Sequence, residues 1–367
     1  ILDTGLYKYD ILGCDYLTML YELEKKTNVD SNTIKLDDKE TLKMFLHAND
    51  KSYSISTIGV PEFGTTFVKK MIEISKPRNF NDLICISALL HGTGTWTYNA
   101  SSLIEKEHKK VDEVISNRAD MFNYLIKHGI EKSTAFDIVE FVRKGNASRI
   151  QNLFKNNMDR YKILNEKWNK YKKILQEYNI PEWYIKSAEK IKYMFPKGHA
   201  VAYVMMAMRI AYFKVHYPLA FYAAYLSRKV EDFDFELMND LIKVREKIQE
   251  LNKEPKLDVK KKAQLAVCEI IVEMHARGFE FLNLDIYKSH GSKFIIEDGK
   301  IRVPLMGLNG LGASVMENIV RERELGRFIS YEDFKRRTKA SQTTVDKLKE
   351  LDCIESLSET NQTTLFF

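Results

Sequence analysis

The sequence predicts a mainly α-helical protein with small β elements. Only 16 glycines and 7 prolines occur among the 367 residues, so long stretches contain no helix breaker. Pro196 and Pro218 delimit one helix-length segment, because proline suits a first helical turn and also ends a helix. Closer to the C-terminal end, Asp298-Gly299 lies between two apolar runs, which indicates a β-hairpin.

Composition narrows the class of protein. The net charge of +6 favours a polyanionic partner without proving one. The 4 cysteines are scattered and none forms a C-x-x-C pair, which argues against a zinc site or a disulfide framework and fits a reducing cytoplasm. No apolar run reaches the roughly 18 residues that a membrane-spanning helix needs. The chain begins at Ile1, so we expect it to be a segment of a longer protein.

The first predicted element is a short strand from Leu6 to Gly13. Alternation places Leu6, Lys8 and Asp10 on the same face of this strand. A carboxylate in the middle of an apolar and aromatic strand is costly unless it is paired or binds a metal ion. Asp10 is therefore either a metal-binding candidate or a charge on an exposed strand face.

Helical patterns follow, interrupted by loops rich in glycine. The loop that begins at His91-Gly92 can bring backbone N–H groups close to a phosphate. Arg118 suits a bidentate phosphate contact, although a surface arginine paired with Asp120 or Glu113 is the alternative. The patterns predict helices at 17–26, 67–74, 80–90 and, as one long charged and aromatic element, at 149–178.

The segment after Pro196 carries the clearest binding signal. Lys197 and His199 lie in its first turn, where free backbone N–H groups and the helix dipole favour an anion. Together they form a candidate seat for a triphosphate, and Tyr203, one turn later, is placed to stack on a base. The alternative is an amphipathic core helix whose lysine buries its stem and extends its amine to solvent.

The pattern changes near residue 232, where we place a domain boundary. Helices are predicted at 236–252 and 258–277. The run LNGLG at 308–312 then precedes a predicted helix at 313–324, which fits the hxGxG pattern of a helix-hairpin-helix. Its glycines would leave backbone N–H groups open to a DNA phosphate without reading bases. Residues 341–357 look like a second, degenerate unit that lacks the glycines.

Several of these segments resemble one known family. FPKGHAVAY and RIAYFKVHYP, within 195–218, resemble the fingers helix of bacterial replicative DNA polymerase III alpha subunits of the Gram-positive PolC type. The resemblance continues in YKYDILG at 7–13, in TIGVPEFGT at 57–65, in HGTGTW at 91–96 and in a final Gln-x-x-Leu-Phe. It covers nearly the whole chain.

The resemblance implies DNA-templated addition of dNTPs to the 3′-end of a primer. It places Asp10 on the last palm strand as a catalytic ligand of Mg²⁺, shared with two aspartates that this sequence does not contain. It implies nucleotide contacts from Lys197, His199, Tyr203, Arg118, His91 and Gly92, with Arg209 and Lys214 as weaker candidates.

The resemblance also implies macromolecular partners. Duplex primer-template DNA would meet Asn309, Gly310, Gly312, Arg321 and Arg323. The terminal motif would bind the ring-shaped sliding clamp through Gln362, Leu365 and Phe366, since two buried apolar anchors can supply much of such an affinity. Other replisome subunits are expected partners, a membrane is not, and the expected compartment is the cytoplasm.

The sequence departs from the family at two points. Gly94-Thr95 replaces an expected Asp-Val pair, which favours His91 and Gly92 over Gly94 as contacts. Asp137 stands where the family carries a lysine, and a carboxylate cannot bind phosphate without a metal ion. Either the alignment with the family is shifted at this point, or the contact moves to Arg143 or Lys144.

The resemblance implies an ordered set of domains. An alternative from another class of protein is a non-catalytic DNA-binding and clamp-binding module in which Asp10 is structural. An upstream paired-aspartate motif would favour the polymerase over this module. The predicted domains are the end of the palm at 1–50, helical fingers at 51–232, a duplex-binding region at 233–300, a tandem helix-hairpin-helix at 301–357 and a clamp-binding tail at 358–367.

Overall fold

The computed structural model describes residues 15–46, 55–238, 240–354 and 357–360. The chain divides into two compact units, one of residues 34–215 and one of residues 1–33 with 216–367. We call these the 34–215 unit and the C-terminal unit. The described residues are mostly helical with one small sheet, which confirms the predicted fold class. The predicted domain boundaries at 50 and 232 stay a prediction; along the chain, the 34–215 unit begins at residue 34 and ends at residue 215.

Helix α1 (Asp15–Thr27) belongs to the C-terminal unit, and the next ten helices belong to the 34–215 unit. In chain order these are α2 (Lys39–Leu46), α3 (Thr66–Ser75), α4 (Phe80–His91), α5 (Ser101–Glu107), α6 (Arg118–Lys127), α7 (Lys132–Arg143), α8 (Asn146–Asn156), α9 (Met158–Glu177), α10 (Glu182–Lys190) and α11 (Lys197–His216).

Two apolar clusters hold the 34–215 unit together. One forms among α2 to α5 and α11, where the rings of Phe45 and Phe63 meet edge to face at 5.1 Å. The other forms among α6 to α10 around Trp168, whose ring stacks on Phe141 at 5.9 Å. The buried alanines of α11, such as Ala207, allow close packing, as their small size predicts.

Side-chain caps decide where several helices begin. The hydroxyl of Thr65 accepts a hydrogen bond from the Val68 N–H at the start of α3. The prediction of one long helix at 149–178 is wrong, because Asn157 ends α8 and begins α9. Its extended backbone (φ −159°, ψ 90°) breaks the helix, and its side chain accepts from the Arg160 N–H at 3.0 Å.

An extended segment, residues 191–196, joins α10 to α11 and pairs with two other parts of the unit. The Thr93 N–H donates to the Tyr193 carbonyl at 2.9 Å, and the Lys192 N–H donates back to the Thr93 carbonyl at 2.8 Å. The Met194 N–H donates to the Arg143 carbonyl at 3.2 Å. We call residues 191–196 the linking segment, because it joins the loop at Thr93 and the end of α7 to the start of α11.

Two glycines allow the linking segment to approach this closely. A Cβ at Gly94 would lie 2.3 Å from the Lys190 carbonyl oxygen, and one at Gly145 would lie 2.3 Å from the Lys192 carbonyl oxygen. Both glycines have positive φ angles, of 72° and 69°. The Gly-for-Asp departure at residue 94 therefore has a packing reason in this chain.

The C-terminal unit combines helices with a small sheet. The predicted hairpin is confirmed, since Asp298 and Gly299 both take positive φ angles between β2 and β3, as the tight hairpin turn requires. The strand order is β1-β3-β2, with β1 parallel and β2 antiparallel to β3. The elements are α12 (Pro218–Arg228), α13 (Phe235–Met238), α14 (Leu241–Lys253), α15 (Val259–Ala276), β1 (Phe281–Leu282), β2 (Ile295–Glu297), β3 (Lys300–Arg302), α16 (Ala313–Glu324), α17 (Tyr331–Thr338) and α18 (Gln342–Glu350).

The helix predicted at 236–252 is also interrupted. Asp240 caps α14 by accepting from the Ile242 N–H at 2.9 Å, so α13 and α14 are separate. Among the residues that the structure describes, no helix has the length and apolar content to cross a bilayer.

The close approach at Gly145 is testable by adding one methyl group. We expect Gly145→Ala to lower the free energy of unfolding by about 2–5 kcal/mol, from about 1–2 kcal/mol for the left-handed backbone and about 1–3 kcal/mol for overpacking. Gly129→Ala is the matched control. Gly129 also has a positive φ, of 94°, but a Cβ there would lie 3.4 Å from its nearest neighbour, a ring atom of Tyr178. Denaturant unfolding of both variants measures the difference, and equal losses would contradict the role of the linking segment.

Candidate nucleotide and DNA interface

The start of α11 holds a lysine paired with a carboxylate from α6. Lys197 Nζ lies 2.8 Å from Asp120 Oδ1 and 3.5 Å from Asn81 Oδ1. About a third of each charged side chain is exposed, 32% for Lys197 and 29% for Asp120. A partly exposed ion pair is weakly held, so an anion of higher charge can compete with Asp120 for Lys197.

The carboxylate of Asp120 is held in place from its own helix. Asn117 caps α6 by accepting from the Asp120 N–H at 2.9 Å. Its amide donates to Asp120 Oδ2 at 2.6 Å, and its side chain is fully buried. Asp120 is therefore positioned by a fixed partner, whereas the flexible partner of the ion pair is Lys197.

Arg118 lies at the first position of α6, beside the linking segment. Its backbone N–H donates to the Phe195 carbonyl at 3.4 Å. The alternative in which Arg118 pairs with Asp120 or Glu113 is wrong, since Asp120 pairs with Lys197 and Asn117 instead. Its guanidinium makes no hydrogen bond or ion pair with any residue that the structure describes, so it is available to an anion.

Four rings gather on the same side of the start of α11. His199 lies 4.5 Å from Tyr203, 4.7 Å from Phe195 and 5.4 Å from His91, measured between ring centroids. His91 also lies 5.2 Å from Phe195 and 6.0 Å from Tyr203. The structure thus brings together His91, His199 and Tyr203, three residues that the sequence analysis selected from separate segments.

Glu62 joins this cluster although the sequence analysis assigned it no chemistry. Glu62 Oε2 lies 2.7 Å from His91 Nε2, and both side chains are largely buried. Glu62 has a positive φ of 67°, which is costly for a side chain of this size and is retained where surrounding contacts fix the backbone. The glycine- and proline-rich turn at 57–65 was the available signal, but nothing in it identified His91 as the partner.

The charge state of His199 follows from its neighbours. Partial burial lowers the pKa of the His199 imidazole, nearby His91 lowers it further, and Glu62 opposes them. His199 is therefore mostly neutral at pH 7, and it gains a proton more readily when an anion comes close.

Two backbone N–H groups of the 91–94 loop are already used. The Gly92 N–H donates to the Ala88 carbonyl at 3.1 Å, and the Thr93 N–H donates to Tyr193. A Cβ at Gly92 would lie 2.5 Å from the Thr95 side chain, so packing requires glycine there. The expectation that these two N–H groups bind a phosphate is therefore wrong, and a nucleotide contact by Gly92 itself stays a prediction.

Two weaker candidates lie far along α11 from Lys197. Lys214 is fully buried, and its amine donates to the Ser56 and Ile58 carbonyls at 2.7 and 2.6 Å. A phosphate cannot reach it, so its predicted nucleotide role is wrong and its role is structural. Arg209 is half-buried and lies about 18 Å along the helix axis from Lys197, since each residue advances the helix by about 1.5 Å.

The predicted DNA-binding glycines lie in an open turn ahead of α16. Gly310 has a φ of 87°, and a Cβ at Gly310 or at Gly312 would meet no atom within 4 Å. Gly312 is the N-cap of α16 and no side chain caps that helix among the described residues. The exposed turn and the uncapped first turn of α16 together can accept an anion.

The polar side chains near this turn have different roles from one another. Arg321 is 65% exposed and pairs with Glu322 on the same helix. Arg323 donates to the Ile286 and Ser289 carbonyls at 3.0 and 2.7 Å, which corrects its assignment as a DNA contact, because those bonds hold a loop of its own unit. Asn309 is exposed, and its Nδ2 lies 3.4 Å from Asp234 Oδ2, which connects the turn to the segment ahead of α13.

The second unit of the predicted tandem is a turn between α17 and α18. Lys339 takes a φ of 63° after α17, and Ser341 caps α18 by accepting from the Thr344 N–H at 3.1 Å. A side-chain cap replaces the open glycine turn there, in line with the prediction that this unit is degenerate and lacks the glycines.

Four predicted site residues lie outside the described residues. They are Asp10, Gln362, Leu365 and Phe366.

The described residues contain no candidate metal site. Within 15–46, 55–238, 240–354 and 357–360, no group of three or more His, Cys, Asp or Glu side chains is placed to hold a metal ion.

Two family models match parts of the chain. The model of the bacterial DNA polymerase III alpha subunit finger domain matches residues 14–163. The model of the helix-hairpin-helix motif matches residues 278–364. The first match contains Glu62, His91 and Arg118, and the second contains the turn at Gly310.

Relatives match over the whole chain. The chain is 40% identical to the PolC-type DNA polymerase III of Caldanaerobacter subterraneus subsp. tengcongensis, with 100% of this chain and 25% of the relative covered. It is 42% identical to that of Thermotoga maritima (98% and 26% covered) and 41% identical to that of Bacillus subtilis (99% and 24% covered). The chain therefore spans about a quarter of the length of these relatives.

The structural role of Lys214 is testable by removing its charge. We expect Lys214→Met to lower the free energy of unfolding by about 2–4 kcal/mol, because two buried carbonyls lose a charged donor. Lys70→Met is the control, since Lys70 is an exposed lysine of the same unit and should change stability by less than about 0.5 kcal/mol. Denaturant unfolding measures both, and equal stability of the two variants would contradict the structural role.

Proposed function

Because this chain belongs over its whole length to the PolC-type DNA polymerase III family, we propose that it supplies nucleotide-binding and duplex-binding surfaces to a DNA-directed DNA polymerase. The whole enzyme would add dNTPs to the 3′-end of a primer during DNA replication. The observation that carries this proposal is the convergence of Lys197, Arg118 and the His91–His199–Tyr203 rings at the first turn of α11.

The first turn of α11 suits the phosphates of a nucleotide. Helix N–H groups, Lys197 and the guanidinium of Arg118, which has no partner among the described residues, all supply positive potential. In the absence of nucleotide, Asp120 forms an ion pair with the amine of Lys197. A triphosphate carries more charge than one carboxylate, so it replaces Asp120 as the partner of Lys197 when it binds.

The rings next to this turn suit the base or sugar of the same nucleotide. Tyr203 lies one helical turn beyond His199, and their rings lie 4.5 Å apart. Aromatic faces bind any of the four bases by stacking, which a templated polymerase requires of its own side chains. Glu62 fixes the orientation of His91, and His91 in turn limits the positions open to His199.

Metal chemistry would depend on Asp10 and on carboxylates that are not in this sequence. A polymerase of this family would use Mg²⁺ to activate the primer hydroxyl and to hold the triphosphate. The described residues contain no donor set for that ion, so we assign Lys197, Arg118 and His199 only to binding and orienting the nucleotide.

The C-terminal unit would hold duplex DNA behind the site of synthesis. The open turn at Gly310 and the uncapped start of α16 would bind a backbone phosphate, with Arg321 as an exposed cation nearby. The terminal residues Gln362, Leu365 and Phe366 would attach the enzyme to the sliding clamp, which places it with other replisome subunits in the cytoplasm.

The nucleotide role is testable in the full-length polymerase. We expect Lys197→Ala to raise the apparent KM for dNTP by about tenfold or more, because it removes a charge-assisted contact worth about 1.5–3 kcal/mol. Primer extension at varied dNTP concentration measures this effect. Lys127→Ala is the control, since Lys127 is an exposed lysine on α6, the helix that carries Asp120.

Two outcomes would contradict the nucleotide role. A wild-type KM in Lys197→Ala would remove Lys197 from the phosphate seat. Wild-type extension by Asp10→Asn would favour the alternative, a non-catalytic DNA-binding and clamp-binding module in which Asp10 is structural.

The duplex-binding role is best tested at Gly312. Gly312→Val adds a side chain to open space at a φ of −67°, so we expect a stability loss of at most about 1 kcal/mol, from the poorer cap. The new side chain would block a phosphate, and duplex affinity should fall by about tenfold while the KM for dNTP at saturating DNA is unchanged. Unchanged duplex affinity would remove the turn from the DNA interface.

A further inference from the structure

A groove of about 770 Å³ lies among α8, α9 and α10 of the 34–215 unit, and the proposed nucleotide site does not use it. None of the nucleotide-site residues lines it. Its lining includes Phe154, Tyr161, Asn165, Lys172, Lys186 and Lys190.

The three helices around the groove are strongly basic. They contain ten lysines and arginines against five aspartates and glutamates, a net charge of +5 in a chain whose net charge is +6. Among the charged residues that line the groove itself, Lys172, Lys186 and Lys190 outnumber Glu189, so the groove attracts a polyanion.

The one carboxylate in the groove is already compensated. Glu189 Oε1 accepts from the indole N–H of Trp168 at 2.8 Å and lies 3.4 Å from Lys172 Nζ. Lys190 donates to the uncharged carbonyl of Tyr98 at 2.9 Å and keeps its net charge. Lys186 is 66% exposed and only 3.8 Å from Glu182, a distance typical of a weak surface pair.

Aromatic side chains lie beside these lysines. Phe154 is 54% exposed, an unusual position for a phenylalanine, and its ring meets Tyr161 edge to face at 5.1 Å. Tyr98, whose backbone carbonyl accepts a hydrogen bond from the Lys190 amine, is 81% exposed. Exposed rings next to a row of cations are the combination that binds unpaired bases by stacking and their backbone by charge.

We propose that this groove binds single-stranded DNA. Duplex DNA presents no base faces to Phe154 or Tyr161, whereas an unpaired strand does, and a protein partner would not need the excess of positive charge. In a polymerase the template ahead of the primer is such a strand, so this inference rests on the proposed function only for the identity of the strand.

The test is binding of a labelled oligodeoxythymidine to this 367-residue chain, followed by fluorescence anisotropy in excess unlabelled duplex, which occupies the helix-hairpin-helix. We expect Phe154→Ala to weaken binding by about fivefold or more, the loss of stacking on one base. Lys186→Glu should weaken it by about tenfold at low salt.

Lys170→Glu is the matched control, because Lys170 is an exposed lysine of α9 that lines a different depression with Thr134 and Asp137. It should reduce affinity by less than about threefold. Equal losses for Lys186→Glu and Lys170→Glu, or unchanged affinity for Phe154→Ala, would overturn the proposal. Phe154→Ala should leave the KM for dNTP of the full-length polymerase at saturating DNA unchanged, so failure here is distinguishable from failure of the nucleotide site.

Discussion

The pairing of the linking segment with two loops is the constraint on which the rest of the 34–215 unit depends. Residues 191–196 have no helix or sheet of their own, and their backbone groups are satisfied by Thr93, by Arg143 and by Arg118. These bonds place His91 and the start of α6 next to the first turn of α11. Gly94 and Gly145 are necessary for the pairing, because any Cβ there would overlap a carbonyl oxygen. A cluster of functional side chains thus depends on backbone contacts that involve none of those side chains.

Charge balance at the start of α11 explains why the site is stable without a ligand. The ammonium group of Lys197 and the positive end of the α11 helix dipole repel each other. The carboxylate of Asp120 compensates this repulsion. Asn117 keeps Asp120 in place, so the carboxylate is ready to take Lys197 back when an anion leaves. Glu62 does not balance the charge of Lys197 but fixes the position of His91 through a 2.7 Å contact. The lysine of this site is therefore held by one partly exposed carboxylate, Asp120, which an anion of higher charge can displace at small cost.

Sequence patterns predicted the elements well and their long-range contacts poorly. The helix from Ala313 to Glu324, the Asp298-Gly299 hairpin and the start of α11 agree with local rules of capping and turns. Those rules act over a few residues, and so they missed the pairing of Glu62 with His91, which lie 29 residues apart. Burial was the second source of error. Lys214 and Arg323 look like any exposed cation in the sequence, and only packing shows that they bind backbone carbonyls.

We propose that the first turn of α11, with His199, receives the phosphates of a nucleotide. The most direct measurement is the dNTP affinity of the full-length polymerase on primer-template DNA as the pH falls from about 8 to about 6, for wild type and for His199→Gln. The pKa of free His199 is lowered, and a bound phosphate raises it, so binding takes up a proton and affinity should improve as the pH falls. The account predicts a steeper improvement for wild type than for His199→Gln. Parallel pH profiles for the two enzymes would contradict it.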